Sequence, residues 1–361
     1  MRIAFYAPLK APDHPVPSGD RQMARLLVRA LTLAGHTVDI VSRLRSFTRD
    51  PSPASQDVVN AAAQAEIARL SAEWIQAKAP DLWFCYHPYY KSPDLIGPAL
   101  GKAFSIPYVT AESSYSARRN VGAWATSQKA VEAGVKQAAL NICFTCRDHD
   151  GLALLVPESR LALLPPFIDT SAFSTSTTGS TPPKLVTVAM MRPGDKMESY
   201  AMLAQALEAC SALPWTLSVV GDGPCRDEVH TAFAGIDPAR IEWLGERKPE
   251  EISAILATGD LFVWPGFGEA YGLAYLEAQA VGLPVVAQDI AGVPEVVDNG
   301  ETGILTQPGD AEEYASAITR LLTDGDARRE MGEAARRFVH EQRSLEGAAA
   351  RLSAMLAELA P

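Results

Sequence analysis

Two glutamates, eight residues apart, carry the clearest chemical signal in this chain. Residues 267–286 read FGEAYGLAYLEAQAVGLPVV, which sets Glu269 in a glycine-bearing loop and Glu277 inside an otherwise apolar helical stretch. Leu273, Leu276 and Ala280 recur at helical spacing, and Glu277 falls in the same stripe. A bare carboxylate there is costly, so either a cationic side chain meets it or the hydroxyls of a ligand do. The backbone from Ala270 through Tyr271, Gly272 and Leu273 should supply the unpaired amides of a helix start, where dipole and donors together favour phosphate; Gly272 lets an anion come close. The eight-residue interval spans at most about 12 Å if helical. A nucleotide-diphosphate sugar fits that span, with the sugar at Glu269, the diphosphate at the amides and the ribose diol at Glu277, because a carboxylate accepts two hydrogen bonds at once.

Cations are expected on the other side of that diphosphate. The apolar run ending near Met191 leads into Arg192-Pro-Gly-Asp-Lys196, an arginine and a lysine in one loop, which could neutralise a leaving diphosphate without a metal. The run ending at Val220 leads into Gly221-Asp-Gly-Pro224, whose glycines keep side chains out of a nucleotide's way or simply make a turn.

These loops need strands to hold them. Short β-rich runs alternate with longer amphipathic ones, the pattern of parallel sheets covered by helices on both faces. Strands are expected at 3–7, 37–41, 82–86, 108–111 and 140–145, then at 184–190, 217–220, 241–244, 261–264 and 285–287. Between the two sets, TSAFSTSTTGSTPP has almost nothing to bury and reads as a hinge over 171–183. The organisation is therefore α/β, two doubly wound Rossmann-like domains facing a cleft: 1–170 on the acceptor side, completed by a returning helix at about 340–361, and 184–339 binding the nucleotide sugar. Ligands belong at the carboxyl ends of the strands, where Glu269 and Arg192 fall.

Composition excludes several function classes. With 361 residues, 47% hydrophobic and 21% charged, the chain suits two folded domains rather than a disordered or fibrous one. Apolar runs stop well short of a bilayer span and the start is too short for a signal peptide, so a cytoplasmic protein is expected. Five scattered cysteines argue for reduced thiols, and Cys143 and Cys146 read as part of one buried strand. The net charge of −11 is divided unevenly: residues 1–180 hold 18 Lys+Arg against 15 Asp+Glu, and the remainder hold 14 against 28. An acidic chain is a poor nucleic-acid binder. The basic first half, with Arg43, Arg45 and Arg49 clustered, leaves room for an anionic acceptor or a weak peripheral contact with the inner face of a membrane, against a plain solvated loop.

The segment from Glu269 to Glu277, with the AQAVGLPVV that follows, resembles the paired-glutamate motif of family 4 retaining glycosyltransferases of the GT-B fold. Pro80-Asp-Leu, Pro165-Pro-Phe-Ile-Asp169, Arg192 with Lys196, Gly221-Asp-Gly-Pro224, Leu244-Gly245 and Gly292-Val-Pro-Glu295 follow in the family's order, so the similarity runs over nearly the whole chain. It implies a metal-independent hexosyltransferase that moves sugar from a UDP- or GDP-sugar, as co-substrate and with no cofactor, to a hydroxyl on a sugar or lipid-linked acceptor in glycan, glycolipid or small-glycoside synthesis. Residue by residue it implies Arg192 and Lys196 on the diphosphate, Glu269 on the transferred sugar, Glu277 on the ribose and Arg247 near the base. Gly19, in Ser18-Gly19 where a glycine pair is usual, carries over as a position of close approach. Many relatives place a histidine where this chain has Glu112; His87, after the strand 82–86, is either a second group facing the acceptor or a histidine bonded to nearby backbone.

Other readings stand beside this one. Asp148-His-Asp150 and Asp324-Gly-Asp326 have the spacing that holds a divalent ion against phosphates, although the first reads as a helix cap and the second as a turn between helices. An epimerase on a similar scaffold would bind the same donor, as would a catalytically silent sugar-nucleotide binder.

Overall fold

The computed structural model describes residues 1–173 and 179–359. Within them the chain forms two units, Met1–Pro165 together with Leu345–Pro361, and Pro166–Ser344.

The first unit is a six-stranded parallel sheet of β1 (Arg2–Tyr6), β2 (Thr37–Ile40), β3 (Leu82–Tyr86), β4 (Tyr108–Ala111), β5 (Leu140–Cys143) and β6 (Leu161–Leu163), ordered β2-β1-β3-β4-β5-β6. The apolar runs fall where a parallel sheet needs them: β3 is buried at all five positions, whereas the edge strand β2 alternates between half-buried and exposed residues. The intervening helices are α1 (Gly19–Leu33), α2 (Pro53–Gln76), α3 (Gly97–Phe104), α4 (Ala125–Gln137) and α5 (Cys146–Ala153). Helix α1 begins because the Ser18 hydroxyl accepts from the Arg21 amide, and it ends at Gly35, whose φ of +86° suits a residue without Cβ. Its buried stripe of Met23, Leu26, Leu27, Ala30 and Leu31 has helical spacing.

The second unit repeats the plan with β7 (Lys184–Val188), β8 (Thr216–Val220), β9 (Ile241–Gly245), β10 (Leu261–Val263), β11 (Val285–Gln288) and β12 (Gly303–Thr306), ordered β12-β11-β10-β7-β8-β9 and again parallel. Its helices are α6 (Asp195–Ala209), α7 (Arg226–Ala232), α8 (Pro249–Leu256), α9 (Leu273–Ala280), α10 (Ala311–Thr323) and α11 (Gly325–Gln342). The last helix, α12 (Leu345–Ala357), belongs to the first unit and packs on α1.

The structure departs from the sequence reading at several edges. β6 and β12 were not expected, being three and four residues long with one short apolar run each. Strand β5 stops at Cys143, so the expected strand to Thr145 is too long: Cys146 opens α5 and is exposed, while Cys143 is buried. The stretch 166–173, assigned by sequence partly to the first domain and partly to the hinge, groups with the second unit. There the Ile168 amide donates to the Arg343 carbonyl at 2.9 Å and the Ser253 hydroxyl to the Ala172 carbonyl at 2.6 Å. Positions 174–178 of the expected hinge lie outside the described residues. Among the described residues no helix is long and apolar enough to cross a membrane.

Candidate active site

In the second unit, strand β10 delivers the chain to Trp264 and Pro265, and a loop then turns into α9. That loop wraps around the helix's own Tyr275, whose hydroxyl donates to the Trp264 carbonyl at 3.1 Å. Two glycines are forced by this. A Cβ on Gly266 would lie 2.2 Å from the Tyr275 hydroxyl, and one on Gly272 would lie 2.5 Å from its ring; both residues have φ above +80°. Helix α9 starts at Leu273, with Gly272 in the left-handed region as its N-cap and no side chain capping it. The Tyr275 amide turns back to the Gly272 carbonyl at 3.1 Å, while those of Leu273 and Ala274 have no carbonyl acceptor among the described residues. The donor set thus lies further along the chain than the sequence indicated: Tyr271 precedes the helix and is buried, Ala270 is exposed in the loop, and Ala274 was missed.

Glu269, in the same loop, accepts hydrogen bonds from the Lys196 ammonium and from the Trp264 indole at 3.1 Å. Lys196 comes from the first turn of α6, after Gly194, and its ammonium also sits 5.3 Å from the Trp264 ring centroid. Sequence reasoning set the cation and the carboxylate on opposite sides of a ligand; the fold joins them. Two half-buried opposite charges, one in the first turn of α6 and one in the loop before α9, neutralise each other rather than remain apart. Arg192 is exposed in the loop after β7, and its guanidinium has no partner among the described residues. Glu277 is half-buried on α9 between buried Leu276 and Ala278, and burial pushes its carboxyl up to about 7.

The remaining second-unit candidates take different places. A Cβ on Gly221 would lie 1.8 Å from the Ala189 carbonyl, and one on Gly223 would lie 2.2 Å from that of Met191. These glycines therefore serve the close approach of the loop after β8 to the end of β7, not only clearance for a ligand. Arg247 lies after β9, 3.8 Å from Glu251, and is exposed.

In the first unit the carboxyl ends of two adjacent strands carry a partly buried acid–base group, with Glu112 buried and His87 half-buried. The register pairs Tyr86 of β3 with Ala111 of β4, so His87 and Glu112 come next, side by side. Both have positive φ, +59° and +56°, a conformation uncommon for residues with a side chain. The His87 imidazole is hydrogen-bonded to the Asp20 carboxylate at 3.0 Å, a side-chain partner rather than the backbone one that the sequence offered as an alternative. Asp20 lies in the first turn of α1 beside Gly19, where an added Cβ meets nothing within 4 Å. Burial pulls His87 down, but the charge of Glu112, the bond to Asp20 and the charges of Asp20 and Asp148 together push it up to about 9. Burial pushes Glu112 up to about 7 despite the opposing charge of His87. Burial works to raise Asp20, and its bond to His87 overcomes that, leaving it below the usual carboxylate value. At neutral pH the group thus holds a protonated imidazole beside the ionised Asp20, while burial makes Glu112 keep its proton to higher pH than an ordinary carboxyl. Asp20 and Asp148 were missed as members: each reads in sequence as an ordinary acid in a first helical turn, and only the fold brings them to His87.

The Asp-x-Asp pairs do structural work. Asp148 accepts from the Thr145 hydroxyl at 2.8 Å at the start of α5. Asp324 caps α11 by accepting from the Ala327 amide at 2.9 Å, and Asp326 pairs with Arg329 at 3.1 Å.

Comparison with known proteins bears on the fold. Residues 182–324 match the family profile described as glycosyl transferases group 1. Over 123 residues the chain is 37% identical to sulfoquinovosyl transferase SQD2 of Arabidopsis thaliana, a stretch that is 33% of this chain and 24% of that protein. The structure of sucrose-phosphate synthase from Thermosynechococcus elongatus superposes with a TM-score of 0.78 at 20% identity, over 99% of this chain and 98% of that one. Anabaena HepE in complex with UDP-glucose superposes with a TM-score of 0.72 at 17% identity, over 99% and 100% of the two chains. The two doubly wound sheets have the GT-B architecture.

Proposed function

We propose that this chain, whose residues 182–324 match the glycosyl transferases group 1 profile, is a retaining, metal-independent glycosyltransferase. It moves a hexosyl group from a UDP- or GDP-sugar to a hydroxyl on a sugar or lipid-linked acceptor. The observation that carries this reading is the meeting of Lys196 with Glu269, 73 positions away in sequence, just upstream of the free amides of Leu273 and Ala274. An ammonium, helix-start donors and a carboxylate suit a ligand anionic at one end and hydroxylated at the other. The diphosphate draws Lys196 away from Glu269 and onto itself, and the released carboxylate accepts from the sugar hydroxyls. Glu277 takes the ribose diol. HepE's complex with UDP-glucose supports a donor of this class.

In the reaction the bond from the anomeric carbon to the diphosphate oxygen breaks and the acceptor oxygen bonds to that carbon on the same face. The acceptor proton passes to the departing diphosphate. Lys196, Arg192 and the α9 helix start stabilise the charge developing on that leaving group, which is work a divalent ion does in other transferases. His87 and Glu112 are the acceptor-side groups of this reading. Asp20 holds the imidazolium in place, and Glu112, whose carboxyl burial pushes up toward neutrality, accepts from or donates to an acceptor hydroxyl.

Transfer is tested by incubating the chain with UDP- and GDP-sugars and a panel of hydroxyl acceptors, with and without chelator. Released nucleotide is measured and the product's anomeric configuration read by NMR. Retained configuration and unchanged turnover in chelator are expected. Glu269→Gln should lower kcat by roughly a hundredfold or more while leaving Tm nearly unchanged. Inverted product, or an activity that vanishes with chelator and returns with manganese, would overturn the mechanism. Donor isomerised without acceptor would replace the transferase by an epimerase.

A further inference from the structure

The first unit contains a cavity of about 260 Å³ whose lining shares no residue with the donor or acid–base groups, although the charge of its Lys10 reaches Asp20. Two loops line it, both at the carboxyl end of the first sheet. One follows β1 and contributes Lys10, Asp13 and His14; the other follows the edge strand β2 and contributes Arg43 and Arg45. Of the charged lining groups three are cationic and one is acidic, and that acid, Asp13, is already paired with the Arg43 Nε at 2.6 Å. Arg45 is held from two sides: its Nε donates to the Leu9 carbonyl at 3.1 Å, and its guanidinium lies 4.6 Å from the Phe47 ring centroid. Both guanidinium groups are thus fixed through Nε, and their terminal amino groups have no acceptor among the described residues. An arginine pre-set in this way loses little freedom when an anion docks, and its paired donors match two oxygens of one group.

We infer that this cavity is a subsite for a phosphoryl group on the acceptor. Donors approaching from two separate loops suit a tetrahedral anion with oxygens on several sides. The site's position sets the acceptor's dimensions. The cavity borders β1 and β2, and His87 follows β3, the next strand over, so the offset across the sheet from the end of β2 to the end of β3 is roughly 10 Å. An acceptor hydroxyl that reacts beside His87 therefore carries its phosphate roughly 10 Å away. This deepens the transferase reading and rests on it for the acceptor's role, while the anion site itself stands on the cavity and its arginines. The phosphate could belong to a soluble phosphorylated molecule or to a lipid headgroup.

The test is a titration of the whole chain with inorganic phosphate and with glycerol 3-phosphate in 150 mM NaCl, followed by calorimetry. A parallel measurement of co-sedimentation uses phosphatidylcholine vesicles with and without phosphatidic acid. Saturable binding of both soluble anions is expected, about tenfold weaker in the Arg43→Ala/Arg45→Ala double variant and partly retained in Arg45→Lys, which keeps charge but loses the fork. UDP binding and Tm serve as fold controls and should be little changed in all variants. Additional, arginine-dependent binding to phosphatidic acid vesicles identifies a lipid source; its absence identifies a soluble one. Absence of saturable phosphate binding, or binding undiminished in the double variant, overturns the inference. Absent UDP binding or transfer with phosphate binding intact would instead defeat the transferase reading alone.

Discussion

The carboxyl of Glu277 has two opposite uses for a proton, and pH separates them. Burial raises it to about 7 from an ordinary value of 4.5, so the folded chain binds this proton more tightly than the unfolded chain. The associated stability is complete below the unfolded value and is lost as pH rises through about 7, on the order of 2–3 kcal/mol in all. Accepting hydrogen bonds from a ribose diol needs the ionised form, so nucleotide binding should strengthen over the same interval. Thermal melts and UDP titrations between pH 5 and 8 check both. Relative to the native chain, Glu277→Gln should flatten the fall in stability and remove the pH-dependent gain in nucleotide affinity. A variant that merely loses Tm at every pH would assign Glu277 to a structural role. At this scale the sequence was informative where a residue contradicted its surroundings: Glu277 stood out because Leu273, Leu276 and Ala280 share its stripe. It was silent where function needs distant partners. Asp20 and His87 are 67 positions apart, and nothing in their local patterns joins them. The positive φ of His87 and Glu112 was equally hidden, because residue type alone does not dictate that conformation for either of them.

Glycines show how much a secondary element can demand of a single position. The reading that glycines clear space for a ligand applies unequally to Gly19 and Gly221. Gly221→Ala would drive a Cβ into the Ala189 carbonyl at a φ of +146°, and at least about 2 kcal/mol of stability should be lost before any ligand is considered. Gly19 opens α1 with nothing within 4 Å of an added Cβ. Gly19→Ala should therefore hold stability or raise it by up to about 0.5 kcal/mol through the smaller entropy of the unfolded chain. A fall in kcat/KM with unchanged or higher Tm would place Gly19 against a substrate; unchanged kcat/KM would remove it from the site. The elements themselves were largely legible, because a parallel strand buried on both faces must be a short, continuous apolar run, as LWFCY is in β3. β6 and β12 were lost because LAL and GILT are too short to show any period, and both depend on pairing with the strand beside them. The α9 start was placed too early because its boundary is set by the left-handed conformation of Gly272, which residue type permits but does not dictate.

The whole molecule divides its charge as it divides its fold. The first unit has 19 basic and 16 acidic residues, and the second has 13 and 27. The basic excess thus lies with the unit that contains the arginine-lined cavity. That unit is assembled from both ends of the chain. Helix α12 buries Leu345, Ala348, Ala349, Leu352 and Leu356, a stripe at helical spacing, and packs on α1, the helix that also positions Gly19 and Asp20. Removing everything after Ser344 would expose this apolar seam on α1, and burying one leucine-sized side chain is worth about 1.5–3 kcal/mol. Several such side chains are lost together, so the first unit should melt well below its native temperature while the second, which ends at Ser344, keeps its own core. Calorimetry of the truncated chain should then show two separated transitions, with UDP binding retained at temperatures where the first unit has already unfolded. A single transition close to the native Tm would show that α12 contributes little. Loss of UDP binding together with the first unit's transition would mean that the donor site needs groups from beyond Pro166–Ser344.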